Sequence, residues 1–392
     1  MWPDRSGWAG TVKFKSLVLA CAFSLSSGVA GAADAPAIPA PPELGLKAFI
    51  LVDFETGQVL AEKDSAMRAE PASLTKIMTV YAVADAIHKG HIKMEDTTIV
   101  SEYAWKQEGS RMFLDVNKPV SIDLLLHGDI IQSGNDASVA LAEHVSGTEE
   151  TFATVMNQHA ERLGMKDTHF VNSTGLPHPE HYTTAHDLSV LGRALIRDFP
   201  EIYKIFSQPE YTYNGIHQQN RNGLLGKDPS VDGIKTGHTE SAGYCLVGSA
   251  KRDGMRLISV VMGAASNGAR TKASQALLNY GYRYYETRRL YEANATVATA
   301  QVWRGAQDSV KIGPAAGAGA ITFPRGQFAR IKATVDLPTR LEAPVKLGQQ
   351  IAEARLELDG KLLATIPLLA QEAVDEGSFI EQLIDRARLM MQ

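Results

Sequence analysis

Residues 71–80 read PASLTKIMTV and place a hydroxyl at Ser73 and an amine at Lys76 where an apolar stretch begins. Apolar spacing through SLTKIMTVYAVADAIHKG, residues 73–90, predicts a helix that opens near Ser73 and stops at Gly90. Side chains three positions apart share a helical face, so Ser73 and Lys76 can meet. Alone, the pair says little. Ser caps helices, Lys favours them, and such a pair arises by chance about once in a chain of this length.

The flanking sequence sets the context. Upstream, KAFILVDFETGQVLAEK (47–63) alternates on both sides of Glu55-Thr56-Gly57, which predicts a hairpin. Downstream, IDLLLHGDII (122–131) and DASVALAEHV (136–145) predict two apolar helices separated by the tight loop QSGN (132–135). VDGIKTGH (231–238), AGYCLVGSA (242–250) and MRLISVVMGA (255–264) predict successive strands, the last two joined by the Asp253-Gly254 turn. Strands flanking a helical cluster predict an α+β domain over residues 45–287.

From residue 295 the pattern changes to short strands and turns, as in ATAQVWRG, FARIKATVDL and ARLELDGKLLATIPLL, which predicts a small all-β domain over 295–375. Residues 377–392, GSFIEQLIDRARLMMQ, predict an amphipathic helix with Phe379, Ile380, Leu383, Ile384, Ala387, Met390 and Met391 on one face. At the other end, Arg5, Lys13 and Lys15 precede SLVLACAFSLSSGVAGAA, the pattern of a secretory signal peptide over residues 1–33. The Pro-rich DAPAIPAPPE then begins a linker over 34–44. VLAC at 18–21 is a poor lipoprotein box, with Leu19 ill-suited and the apolar run before it too short.

Composition narrows the function class. With 44% hydrophobic and 21% charged residues the 392-residue chain can build two cores, and disorder is excluded. A net charge of -5 offers no basic footprint for nucleic acid. Beyond the signal segment Cys245 is the one cysteine left, so no intramolecular disulfide can form, and its apolar surroundings mark it as a small buried hydrophobe. His178, His181, His186 and Asp187 match no zinc-ligand spacing, so no metal and no cofactor are expected.

Three motifs now stand in one order: Ser73-Leu74-Thr75-Lys76, Ser133-Gly134-Asn135 and Lys235-Thr236-Gly237. A helix start, an inter-helix loop and a strand can surround one cleft. A serine hydroxyl needs a base, and a lysine serves as one only when neutral, which burial and a neighbouring cation such as Lys235 favour.

The ordered motifs resemble the penicillin-recognising serine acyl-transferases. NRNGLLGKDPSVDGIKTGHTESAGYCLVGSA (220–250) and FVNSTGLPHPEHYTTAHDLSVLGRALI (170–196) are similar to the D-alanyl-D-alanine carboxypeptidases among the low-molecular-mass penicillin-binding proteins, and the likeness extends over nearly the whole mature chain. His186 departs from the family, which often has Arg there. The resemblance implies a transpeptidase-like fold for the first domain, with Ser73 as nucleophile, Lys76 as its base and Ser133 as proton relay. It further implies that Asn135 binds the substrate amide, that Lys235, Thr236 and Arg270 hold the terminal carboxylate with Gly237 also in the substrate-binding set, that the His238 main chain completes an oxyanion site, and that Arg221 orients the cleft.

The implied substrate is a peptidoglycan stem peptide, the implied inhibitors are β-lactams, and the implied location is periplasmic, at the inner-membrane surface. A class A β-lactamase would carry Glu-x-x-Leu-Asn, which residues 150–190 lack. Endopeptidases of the superfamily typically resemble the first domain only. A non-catalytic wall-binding module would have no use for Ser73, Lys76, Ser133 and Lys235 together.

The tail is too short and polar to span a bilayer but suited to lie on one. Deleting residues 377–392 is therefore expected to release the protein from the membrane fraction. Unchanged sedimentation with vesicles would count against an anchor.

Overall fold

The computed structural model describes residues 38–378, apart from 293 and 316. The expected signal segment, residues 1–33, and residues 379–392 of the expected amphipathic tail lie outside the described residues.

The first hairpin forms as expected, with β1 (Ala48–Asp53) paired to β2 (Val59–Lys63). A 3-10 turn, Ala72–Thr75, leads into α1 (Lys76–His88). Next come β3 (Thr97–Ile99), α2 (Glu102–Trp105), β4 (Pro119–Ser121) and α3 (Ile122–His127). After the π-turn Gly128–Gln132 the chain forms α4 (Asn135–Ser146), α5 (Glu149–Leu163), α6 (Ala185–Asp198) and α7 (Pro200–Tyr203). The hairpin β5 (Glu210–Tyr213) and β6 (Ile216–Gln219) precedes β7 (Val231–Thr239), β8 (Gly243–Arg252), β9 (Met255–Ala264) and α8 (Asn267–Tyr284).

The main sheet runs β2-β1-β9-β8-β7, antiparallel throughout, which leaves β7 and its Lys235-Thr236-Gly237 at an edge. Strand side chains alternate between faces, so neighbouring residues of β8 and β9 face different helices. Val247 and Ile258 pack against Gly192 of α6, while Gly248 and Ser259 meet Ser274 of α8 on the other side. Helix α1 has no polar face. From Lys76 to Ala84 every residue is buried, as expected of a helix apolar all round.

Two boundaries differ from the sequence reading. Ser73 lies in the 3-10 turn rather than in the helix, because Ala72 holds a positive φ of 48° and α1 starts only at Lys76. The change of domain comes earlier than expected, since β10 (Tyr285–Arg289) begins where α8 ends and pairs with β13 (Ala320–Pro324). The rest of the β-rich part comprises β11 (Ala298–Trp303), β12 (Ser309–Pro314), β14 (Ile331–Val335), β15 (Leu341–Glu342), β16 (Gln350–Leu358) and β17 (Lys361–Ala370). They form one sheet in the order β14-β16-β17-β12-β11-β15 around a core that includes Val310, Ile312, Phe323 and Leu368. Among the described residues no helix is long and apolar enough to cross a membrane.

A polar lock joins the two parts. Buried Asp53, at the end of β1, accepts the Thr56 N–H and hydroxyl, each at 2.8 Å, and the Thr287 hydroxyl at 2.7 Å. Thr322 Oγ1 on β13 lies 2.9 Å from both of those hydroxyls. Asp53→Ala strips an acceptor from one amide and two hydroxyls, and is expected to cost about 2–3 kcal/mol of stability. Urea unfolding measures this, with Asp53→Asn expected to lose less.

Candidate active site

The Ser73 turn is held from three sides. Thr75 donates its hydroxyl to the Ala72 carbonyl at 2.8 Å and lies 2.8 Å from His181 Nε2. His181 Nδ1 accepts the Val171 N–H at 3.1 Å, so Nε2 carries the ring proton and donates to Thr75. Burial pushes this imidazole down to about 4, consistent with its neutral form. From the second side Gly175, at φ 86°, presses on Ala72, where a Cβ would overlap the Ala72 carbonyl. On the third side edge strand β7 closes in. A Cβ at Gly237 would stand 3.0 Å from the Pro71 carbonyl and 3.2 Å from Ala72 and Leu74, so a larger residue would press on the Ser73 turn unless that turn gave by a few tenths of an ångström.

Lys76 is fully buried. Its ammonium donates to the Thr174 carbonyl at 2.6 Å, to Asn135 Oδ1 at 2.7 Å and to Ser73 Oγ at 3.4 Å. The Thr174 segment is itself fixed to α1 and α5. Thr79 donates to the Ser173 carbonyl at 2.7 Å, and Glu149 accepts the Ser173 N–H and hydroxyl at 2.9 and 2.6 Å.

Ser133 ends the π-turn in left-handed geometry, φ 65°. Its buried Oγ has no hydrogen-bond partner. Asn135, the first residue of α4, donates its side-chain amide to the Glu108 carbonyl at 2.6 Å and its backbone N–H to the Ser110 carbonyl, also at 2.6 Å. Asp136 accepts the N–H groups of Met112, Phe113 and Leu114 at 2.9–3.1 Å, which pins the 108–114 segment beside the Ser133 loop. Arg221 donates from Nε to the Gln132 carbonyl at 2.8 Å and so supports the residue before Ser133.

Lys235 is 2% exposed, yet its ammonium reaches one acceptor, the Thr236 carbonyl at 3.4 Å. Thr236 is buried beside it. Arg270 engages the β7–β8 pair, donating from Nη1 to the carbonyls of Gly237 at 2.8 Å and Cys245 at 3.2 Å and from Nε to Asn267 at 3.0 Å. His238 is exposed and its ring stacks on Tyr244 at 4.0 Å.

Burial dominates the electrostatics. It lowers Lys76 to about 8, opposed by Asp129, Asp136 and Glu149 and assisted by the positive charge of Arg221. Lys235 falls well below its ordinary value, through burial first and then through the charge of Lys76. The positive charge that lowers Lys76 is that of Arg221 rather than the expected Lys235, which is instead the lysine lowered by Lys76.

All the expected residues thus gather around two buried lysines and a partly exposed serine, although Arg270 reaches the cleft chiefly through the Gly237 backbone. Four supports were not read from the sequence: Asp136, Glu149, Thr174 and His181. Carboxylates in the first turns of α4 and α5, Asp136 and Glu149, are the local signals among them. His178 and His186 bind locally, to the Glu180 N–H and to Asp187, and among the described residues no three metal-type ligands converge.

The site sets a serine hydroxyl 3.4 Å from the ammonium of a buried lysine, an arrangement open to serine acyl transfer. Comparison narrows the class. The D-alanyl-D-alanine carboxypeptidase family pattern matches residues 35–266, and that of the penicillin-binding protein 5 C-terminal domain matches 285–376. The chain is 43% identical over 352 residues to D-alanyl-D-alanine carboxypeptidase DacC of Escherichia coli K12, covering 88% of each. Penicillin-binding protein 5 of Haemophilus influenzae superposes with a TM-score of 0.83 at 41% identity, over 86% of this chain and all of that one. Penicillin-binding protein D2 of Listeria monocytogenes, solved with ampicillin bound, aligns with a TM-score of 0.57 at 30% identity over 62% of this chain and all of that one. The chain belongs to the D-alanyl-D-alanine carboxypeptidase family and is a serine-type carboxypeptidase acting in cell-wall remodelling.

A base must be unprotonated to accept a proton, so acylation should follow the neutral fraction of Lys76. With Lys76 near 8, the second-order rate of penicillin acylation is expected to rise about tenfold per pH unit below that value and to level off by about pH 9. Stopped-flow acylation from pH 6 to 10 checks this, and a flat profile would exclude Lys76 as the base.

Proposed function

We propose that Ser73 Oγ attacks the carbonyl between the two terminal D-alanines of a peptidoglycan stem peptide. Lys76 takes the hydroxyl proton, the Oγ–carbon bond forms and the carbon–nitrogen bond breaks. Ser133, whose Oγ is free of other partners, relays a proton to the departing amine of D-alanine. Water then hydrolyses the ester, returning Ser73 and a shortened peptide. Backbone N–H groups of Ser73 and His238 hold the oxyanion, and Asn135 offers its remaining amide hydrogen to the substrate backbone.

One observation carries the carboxypeptidase reading: the buried Lys235 ammonium, beside the Ser73 turn, meets a single distant acceptor. An ion in such surroundings is costly without an anion, and a substrate carboxylate supplies one. Thr236 and Nη2 of Arg270 complete the carboxylate site. Binding that carboxylate favours the protonated form of Lys235, whose charge then pushes Lys76 toward its neutral, basic form. The same site accepts a β-lactam, whose ring carbonyl takes the place of the peptide carbonyl. The basic, apolar and small-residue pattern of residues 1–33 supports export to the periplasm, and the one-sided tail supports attachment to the inner-membrane surface.

Amidating a peptide that ends in D-Ala-D-Ala removes the charge but keeps the scissile bond. Hydrolysis is expected to fall at least about tenfold, since charge-assisted hydrogen bonds contribute about 1.5–3 kcal/mol each. D-alanine and D-alaninamide release measures it, with Ser73→Ala, checked by intact mass after penicillin, as the inactive and unlabelled control. Equal turnover of acid and amide would falsify carboxylate recognition.

A further inference from the structure

Asp129 lies in the π-turn four residues before Ser133 and is completely buried, yet no step above uses it. Its Oδ1 accepts the hydroxyl of Ser138 on α4, and the Gly134 carbonyl accepts the Ser138 N–H at 3.0 Å, with Ser138 Oγ 2.9 Å away. The Gly134 N–H in turn donates to the Gly128 carbonyl at 3.0 Å. This closes a small ring that spans the Ser133-Gly134 turn. The second carboxylate oxygen, Oδ2, is buried without a partner, as is Ser133 Oγ.

Elements packed on this turn bring Lys76 (α1), His127 (α3), Asp136 (α4), Lys204 (the 3-10 turn Lys204–Ser207), Tyr211 and His217 (the β5–β6 hairpin), with Lys235 (β7) and Arg221 nearby. Most are engaged elsewhere. His127 bonds the Asp123 carbonyl, Lys204 pairs with Glu201, His217 with Glu210, and Arg221 holds Gln132. Tyr211 OH is a buried hydroxyl without a partner, near Gly128. Asp136 and Glu149 direct their oxygens to backbone N–H groups of the 112–114 and Ser173 segments. Of the negative groups acting on Lys76, Asp129 is the strongest, and it acts on Lys235 as well.

We propose that Asp129 is a positioning residue of the acylating centre: through Ser138 it holds the Ser133-Gly134 turn, and its charge balances the two buried lysines. The inference rests on Ser73 and Lys76 being the nucleophile and base. Burial raises the Asp129 carboxyl to about 6, so it is ionised where Lys76 titrates, near 8.

The charge and the bridge separate by mutation. Asp129→Asn keeps the acceptor for Ser138 and removes the charge, whereas Ser138→Ala removes the bridge and keeps the charge. Penicillin acylation is followed from pH 6 to 10, with rates normalised to the labelled fraction so that poorly folded protein affects amplitude only. Without the negative charge the lysines lose protons more readily. The rising limb of Asp129→Asn is therefore expected to move to lower pH by about half a unit to one unit. Ser138→Ala is expected to slow acylation about threefold or more at every pH with its limb unmoved. An Asp129→Asn limb that coincides with the parent's, or a Ser138→Ala limb that shifts as far, overturns the proposal. Intact mass locates the adduct: if it is absent from Ser73 in the parent, the underlying assignment fails instead.

Discussion

The ammonium of Lys76, buried on a helix that has no polar face, is the constraint around which the rest of the catalytic part is arranged. Taking such a group out of water costs several kcal/mol unless acceptors surround it. Helix α1 cannot supply them, because its own carbonyls are engaged along the helix. They come from Asn135 and Thr174, 59 and 98 residues further along the chain. Each of those needs a rigid support. Asp136 and the 108–114 segment support the first, and Glu149 and Asn172 the second, where Asn172 accepts the Gly175 N–H at 2.7 Å.

Balancing that charge too well would defeat the chemistry. A lysine paired directly with a carboxylate keeps its proton and cannot act as a base. Neutral oxygen acceptors satisfy the hydrogen bonds of Lys76 without cancelling burial, Arg221 adds a positive charge that lowers it further, and Lys235 shares the pocket. The sheet makes this possible. Its order leaves β7 at the edge, and the absence of a side chain at Gly237 lets that edge touch the Ser73 turn. Arg270 steadies the strand from the other side through the Gly237 and Cys245 carbonyls.

The β-rich part contributes none of the residues assigned to the cleft. Its attachment is nevertheless specific, because Asp53 at the end of β1 gathers hydroxyls from Thr56 and, across the junction, Thr287. A buried carboxylate satisfied by several donors tolerates little displacement of any of them. The junction therefore fixes the β-rich part to the main sheet at β1, the strand beside β9 at its centre.

Much was legible from the residues themselves. Alternation of period two marked β1 and β2, short strand-like runs marked β7–β9, apolar residues at helical spacing marked α1, and Gly and Asp-Gly marked the turns, because these are local consequences of backbone geometry. The three motifs and their order identified Ser73, Lys76, Ser133 and Lys235 as candidates. What local pattern does not encode is who answers a buried charge. His181 behind Thr75, Thr174 on Lys76 and Asp129 beneath Ser133 lie in stretches whose composition suits a loop or an apolar helix equally well. Local rules made Ser73 a helix start, yet the pressure of Gly175 and Gly237 on Ala72 belongs to a 3-10 turn outside the helix. Sequence determined the elements and the chemical groups they carry. Tertiary packing alone decided which lysine is half-neutralised, which carboxylate stands behind it and where the hydroxyl points, since desolvation and Coulomb forces act through space and not along the chain.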